Sequence, residues 1–270
     1  IIHDNYSTLR STNNGADYIV ISHASFISAA QTLADYRQSE GLRTAVVDVQ
    51  DIYDEFSYGQ TRAIAIRDFL RFTYQNSIQP APSYVVLVGD ANYDPNHYIN
   101  TSAPSWIPSY LGSVDPIMNE VAADNHFVSI VGIDKMPDMM LGRLPVNSLV
   151  EAQQVVSKII NYETQSVEGD WQKNWLFVSD NADDAGNFPA LSDAMLASYK
   201  PSNYNVQKAF LGIDGDAAAL RPIITAAING GDTNNAGVSL VNFFGHGNEL
   251  QWAHENLLYV STVRTLTNAS

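Results

Sequence analysis

The chain has 270 residues, and 29 acidic against 14 basic side chains leave it a formal charge of −15. That sign excludes nucleic acid and anionic membrane surfaces as partners, because both need clustered cations. With 45% hydrophobic and 10% aromatic residues the composition is that of a globular protein with a substantial core, in one large or two smaller domains.

The absence of cysteine removes disulfides, thiolate zinc sites and any thiol nucleophile supplied by these residues. Asp outnumbers Glu by 21 to 8, and Asn, Ser and Tyr are plentiful, a mix expected of an extracellular or cell-surface bacterial protein. No apolar run reaches the roughly 18 residues that a membrane span requires, and Ile1-Ile2-His3 lacks a basic leader, so neither a transmembrane helix nor a signal peptide is expected. A start without Met and a stop at Thr267-Asn268-Ala269-Ser270 read as a fragment of a longer chain that carries other domains.

Strand-length apolar runs alternate with amphipathic stretches, the pattern of parallel α/β architecture. Residues 18–22 form the first expected strand, followed by Phe26, Ala29, Ala30, Leu33, Ala34 and Tyr36 at helical spacing and by Gly41 as a C-terminal cap. The second strand is expected over 44–49, then an aromatic loop through Tyr53, Phe56 and Tyr58, a helix from Thr61 to Tyr74 and a third strand over 84–88. That order implies right-handed crossovers. From Gly89 to Pro116 the sequence reads as a long loop, and loops of this length are usually functional. A strand over 138–144 and a helix over 150–162, with Val155, Val156, Ile159, Ile160 and Tyr162 facing the core, close the first half.

The polar stretch 163–170 marks the expected boundary. The organisation is therefore a lead-in over 1–16, a first α/β subdomain over 17–165 and a second over 166–270. The second half repeats the alternation with a strand over 175–179, helices over 190–198 and 217–229, and a strand over 238–244 that runs into Gly245-His246-Gly247.

His246, framed by glycines at the carboxyl end of an expected central strand, stands where open α/β sheets keep their sites. It reads as a general acid/base, with the Gly247 N–H as an oxyanion donor, against the plainer reading of a structural His in a tight turn. Asp138 is either a surface carboxylate or the group that orients the imidazole. The oxygen-rich turns Gly89–Asp94, Asp124–His126 and Asp180–Asp184 offer Asp90, Asp94, Asp124 and Asp183 as metal donors, against Asx-turn chemistry that satisfies loop backbone. His126 and Trp252 are candidate pocket residues, the latter within an apolar cluster that also reads as simple packing. No EF-hand, phosphate loop, GxSxG elbow or HExxH helix is present.

Five blocks together are specific: Leu87 to Asp94; Ala123 to His126; Pro137-Asp138-Met139-Met140-Leu141-Gly142-Arg143-Leu144-Pro145-Val146; the helix Glu151 to Glu163; and Val241-Asn242-Phe243-Phe244-Gly245-His246-Gly247. With them, residues 15–270 resemble the C25 cysteine peptidases, the family of the gingipains and of the type IX secretion sortase. The resemblance implies two parallel-sheet α/β subdomains, the C-terminal one caspase-like and incomplete. It makes His246 the catalytic His and Asp138 its supporting carboxylate, at a position where the family often has Glu. It also implies structural Ca²⁺, with no organic cofactor.

In that family the nucleophilic Cys ends the strand after the His loop, preceded by a polar segment like Leu266–Ser270. The expected function is thus a fragment of a secreted cysteine endopeptidase that hydrolyses or transfers peptide bonds through a Cys-His acyl-enzyme on peptide or protein substrates, itself inactive for want of a Cys. The alternatives are a non-catalytic peptide- or surface-binding module on a degenerate peptidase scaffold, and a glycan-binding or glycan-cleaving domain, for which no convincing carboxylate pair is present.

Overall fold

The computed structural model describes residues 7–96, 98–99, 104–115, 119–134, 136–165, 168–230 and 237–268. The chain divides into two compact units, Ile1–Ser166 and Val167–Ser270.

In the first unit, β1 (Tyr18–Ser22) is buried at all five positions, as a strand covered on both faces must be. Its alternate residues serve two different layers. Ile19 and Ile21 pack with Ile52 of α2 (Val49–Ser57) and with Phe69 and Leu70 of α3 (Ala63–Asn76). Tyr18 and Val20 pack with Ala30 and Leu33 of α1 (Ile27–Ser39) and with Val156 of α4 (Leu149–Gln165). Each fully buried side chain of this size contributes about 1.5–3 kcal/mol. The strands β2 (Thr44–Asp48), β3 (Tyr84–Val88) and β6 (Met140–Leu144) complete a parallel sheet in the order β2-β1-β3-β6, with Tyr18 opposite Thr44 on one side and Tyr84 on the other.

Three expectations change here. The segment read as an aromatic loop is α2: Asp48 ends β2 and caps the helix by accepting from the Gln50 N–H, and Val49, Ile52 and Tyr53 then form one buried stripe. Val49 accordingly opens a helix rather than closing a strand. The expected long loop, 89–116, ends in a strand, β4 (Leu111–Asp115), which pairs antiparallel with β5 (Asn119–Ala122) just beyond it. Tyr162, expected to face the core, is 58% exposed, whereas Val155, Ile159 and Ile160 do pack against it.

The second unit is smaller. β7 (Asn174–Ser179) lies between β8 (Asn205–Phe210) and β9 (Leu240–Phe244), all parallel. α5 (Phe188–Tyr199) packs through Leu196 against Phe177 and Phe210 on one face. On the other face, α6 (Ala217–Asn229) sets Leu220 and Ile224 against Leu176 and Val178. Asn187 and Asp216 cap these helices by accepting from the Ala190 and Ala219 N–H groups. β8 escaped the sequence reading because only Ala209 and Phe210 of its six residues are buried. Beyond β9 come a short hairpin, β10 (Gln251–Trp252) with β11 (Leu258–Tyr259), and the single turn α7 (Val260–Val263).

Among the described residues β9 pairs only with β7, so the strand expected to be central has one open edge. In both sheets the strand order reverses beside the first strand, between β1 and β3 and between β7 and β9. Among the described residues no helix is long and apolar enough to cross a membrane.

Candidate active site

His246 stands two residues past the end of β9, and the segment that follows β7 holds it in three ways. Asp180, only 4% exposed, accepts at Oδ2 from the His246 backbone N–H at 3.2 Å, while its Oδ1 accepts from the Asn181 N–H at 2.9 Å. Asp183 places Oδ2 2.9 Å from His246 Nε2. Phe188, the first residue of α5, meets the imidazole edge to face with ring centroids 5.3 Å apart. Gly245 makes the approach possible, since a Cβ there would collide with the Cβ of Asp180. All of this lies in the crevice where the strand order reverses, the position at which open α/β sheets bind ligands.

The Asp183 carboxylate is itself fixed. Its Oδ1 accepts from the Ala185 N–H at 2.8 Å, and its backbone bridges to that of Gly186. The Ala185 N–H and the His246 ring hold its carboxyl below the usual range, against a smaller push upward from burial. It is therefore a carboxylate at neutral pH and can only accept a hydrogen bond. The His246 side chain is 55% exposed. The neighbouring Gly247 N–H makes no hydrogen bond among the described residues, because Gly247 pairs with Trp252 through the flanking Ala253 N–H to His246 O and Asn248 N–H to Gln251 O bonds. An exposed imidazole anchored at one nitrogen, next to a free backbone N–H, can exchange a proton while stabilising negative charge on a neighbouring oxygen.

The remaining predicted residues have contacts of their own. Asp138 belongs to the first unit, where its Oδ2 accepts from the Ile130 and Val131 N–H groups at 2.7 and 2.8 Å and so ties down the turn before β6. His126, also in the first unit, stacks on Tyr110 at 4.7 Å and lends its carbonyl to Arg67. Trp252 lies flat on Phe243, with centroids 4.7 Å apart and planes 3° from parallel, and forms part of the core beneath the His246 loop.

The four candidate metal donors have separate employments. Asp90 accepts from the Ala91 N–H and the Asn147 side-chain amide. Asp94 accepts from the Ile99 N–H, and its own N–H is held by Asn92 in an Asx turn. Asp124 pairs with Arg143 at 2.7 Å and accepts from Ser109, and Asp183 holds His246. Among the described residues no three His, Asp or Glu side chains stand together as metal ligands.

What the sequence reading missed is that Asp180 and Asp183 serve the histidine. The signal was an Asp at the end of one strand and a His at the end of another, and only the order β8-β7-β9 makes those ends adjacent.

The profile of Peptidase family C25 matches residues 11–270, and the chain belongs to that family. It is 24% identical to gingipain R2 of Porphyromonas gingivalis over 98% of its own length, covering 32% of that protein; the chain thus spans about a third of this curated relative. Among solved structures, the complex of the P. gingivalis RgpB pro- and mature domains superposes with a TM-score of 0.66 at 24% identity, over 93% of this chain and 52% of that one. A structure described as a protease gives a TM-score of 0.62 at 19% identity, over 93% and 49%. Both show the fold: two α/β units, each built on a parallel sheet.

Proposed function

We propose that this chain supplies the histidine half of a cysteine-peptidase site and that the nucleophilic thiol comes from sequence beyond Ser270. The observation that carries this reading is the exposed His246 imidazole anchored by Asp183 beside the unpaired Gly247 N–H. The open edge of β9, whose Leu240 and Phe244 are 40% and 43% exposed, supplies a place for a further strand carrying that thiol.

In the complete enzyme the thiolate attacks a peptide carbonyl while the Gly247 N–H hydrogen-bonds the developing oxyanion. His246, as imidazolium, protonates the leaving amine and later takes a proton from the water or amine that resolves the acyl-enzyme. Asp138 remains in this reading as the family-implied support of His246. Without a Cys the chain alone hydrolyses nothing, and an extracellular or surface location accords with its Asp-rich composition and its gingipain relatives.

The test is to read the parent gene for about forty codons past Ser270 and to assay the extended protein with its Cys→Ala and His246→Ala forms on mixed peptides. Turnover that disappears in both variants supports the reading. No Cys, or turnover indifferent to it, turns the reading toward a peptide- or surface-binding module on the same scaffold, consistent with a chain that contains no thiol.

A further inference from the structure

We propose that residues 7–14 form a strap locked onto α2 by Glu55, and that this lock shields the Arg10–Ser11 bond from proteases that cut after arginine. Ser7, Leu9 and Arg10, which make the lock, precede the span that the family profile matches, and the proposal is independent of the peptidase reading.

The lock is made in both directions. Glu55 Oε1 accepts from the Ser7 hydroxyl at 2.5 Å and from the Leu9 N–H at 2.7 Å, while Oε2 accepts from the Arg10 N–H at 3.0 Å. Two successive backbone N–H groups aimed at one carboxylate make an anion cradle, and hydrogen bonds to a charged acceptor are the stronger kind. Arg10 in turn donates through Nε and Nη2 to the Glu55 carbonyl at 3.2 and 2.9 Å, and its guanidinium lies 4.1 Å from the centre of the Phe56 ring.

The helix explains why the two sides need each other. Glu55 stands in the last turn of α2, where the macrodipole disfavours a negative charge and the final carbonyls lack intrahelical donors. The strap supplies N–H groups to the carboxylate and a cation to the carbonyl. It is also folded on itself: the Ser11 N–H donates to the Thr8 carbonyl at 3.0 Å, the Asn14 N–H to that of Ser11 at 3.2 Å, and the Asn14 side-chain amide to that of Thr8 at 2.7 Å. Leu9 packs against the core of the first unit. A protease takes its substrate as an extended segment, so a bond inside a folded turn is cut only after that turn opens. Arg10 is exposed, yet its N–H and its guanidinium are both engaged by Glu55, and cleavage after it waits on the release of that residue.

The experiment digests this chain with trypsin under native conditions and follows, by mass spectrometry, the product that begins at Ser11. Glu55→Ala deprives three donors of a charged acceptor, and its cut after Arg10 is expected to be at least about tenfold faster than in wild type. Glu55→Gln keeps one acceptor oxygen but turns an amide NH₂ toward a donor, and its rate is expected to fall between the two. Ser7→Ala, which removes one donor, is expected to accelerate the cut least. Asp54→Ala alters the neighbouring carboxylate, which accepts from the Gln50 side chain and not from the strap, and is expected to leave the rate unchanged. Amide hydrogen exchange in β1 and α3 as slow as in wild type shows that a variant keeps the fold; where Glu55→Ala loses that protection, Glu55→Gln and Ser7→Ala carry the test. A wild type cut after Arg10 as fast as a free peptide of the same sequence, folded Glu55 variants as resistant as wild type, or an equal acceleration by Asp54→Ala each overturns the proposal. None of these outcomes depends on whether a Cys lies downstream, so failure here is separate from failure of the peptidase reading.

Discussion

The two parallel sheets end alike and are finished differently. In the first unit the crevice between β1 and β3 is filled: the Trp106 ring packs on His23 at 4.8 Å and on Phe26 at 4.9 Å and donates its indole N–H to Asn147. Arg143 donates to the carbonyls of Gly89 and Ile107 while pairing with Asp124. His23, also at a strand end, accepts from the Ser25 N–H with Nδ1 and caps the turn that leads into α1. In the second unit the corresponding crevice presents an exposed imidazole and a backbone N–H, that of Gly247, with no partner among the described residues. A histidine at the carboxyl end of a strand is therefore not by itself a site; the difference lies in whether neighbouring residues use its polar atoms for structure or hold them toward solvent.

The sharpest way to break that comparison is at the glycines, which let each crevice close. Gly245→Ala drives a Cβ into that of Asp180, with Phe243 and the Asp180 amide close behind. Relief requires β7 and β9 to part, and an expected loss of about 3 kcal/mol places it among severe overpacking changes. Gly89→Ala sets a Cβ 2.8 Å from that of Trp106 at a φ of +146°, and its expected loss is smaller, about 2 kcal/mol. Urea unfolding of both variants checks the order. Equal losses, or a Gly245→Ala chain as stable as wild type, would show that Asp180 does not grip the His246 main chain as described.

The next effect concerns the closed crevice. Arg143→Met removes one cation that serves an ion pair and two carbonyls, leaving Asp124 with only Ser109 as a side-chain donor among the described residues. The pair is mostly but not fully buried, with side chains 13% and 24% exposed, so the expected cost is about 2 kcal/mol rather than the larger values of fully buried pairs. A destabilisation below measurement error in urea unfolding would mean that solvent replaces the guanidinium.

These contrasts also explain how far the sequence could be read. Buried strands such as Tyr18–Ser22 and Trp175–Ser179 declare themselves because both faces are apolar, and amphipathic helices such as Ala217–Asn229 show their period. β8 did not, because Asn205, Gln207 and Lys208 are solvated. α2 was hidden by reading Tyr53, Phe56 and Tyr58 as an aromatic loop, although Asp48 followed by Val49, Ile52 and Tyr53 carries a cap and a buried stripe. His246 was legible from its flanking glycines and its strand. Its partners were not, because Asp183 lies 63 residues away, and nothing local distinguishes an Asp that holds a ring from one that closes an Asx turn. Arg143, quoted only as part of a motif, acquires its role from carbonyls on two other segments.

The smallest expected effect is in acid, and it again separates the units. In the first, Arg43 holds the Asp17 carboxyl below its ordinary range and Arg37 does the same to Glu163. For Glu55, burial pushes upward but is outweighed by donation from the Ser7 hydroxyl and the Leu9 and Arg10 N–H groups. In the second unit the carboxyl so lowered is the exposed Asp183. A carboxyl whose folded pKa lies below its unfolded value stabilises fully above the unfolded value, and that stability disappears as pH falls through the folded one. The first unit should therefore loosen from about pH 4 downward, and the ion pair of Arg37 with Glu163, which ties α1 to α4, is among those that protonation breaks. Glu163→Gln removes one such carboxyl, and because the pair is partly solvated its contribution is well under about 1 kcal/mol. Urea midpoints at pH 7 and pH 3 are expected to differ less in that variant than in wild type. An unchanged difference would place the acid sensitivity elsewhere, with Asp17 and Glu55 the next carboxyls to substitute.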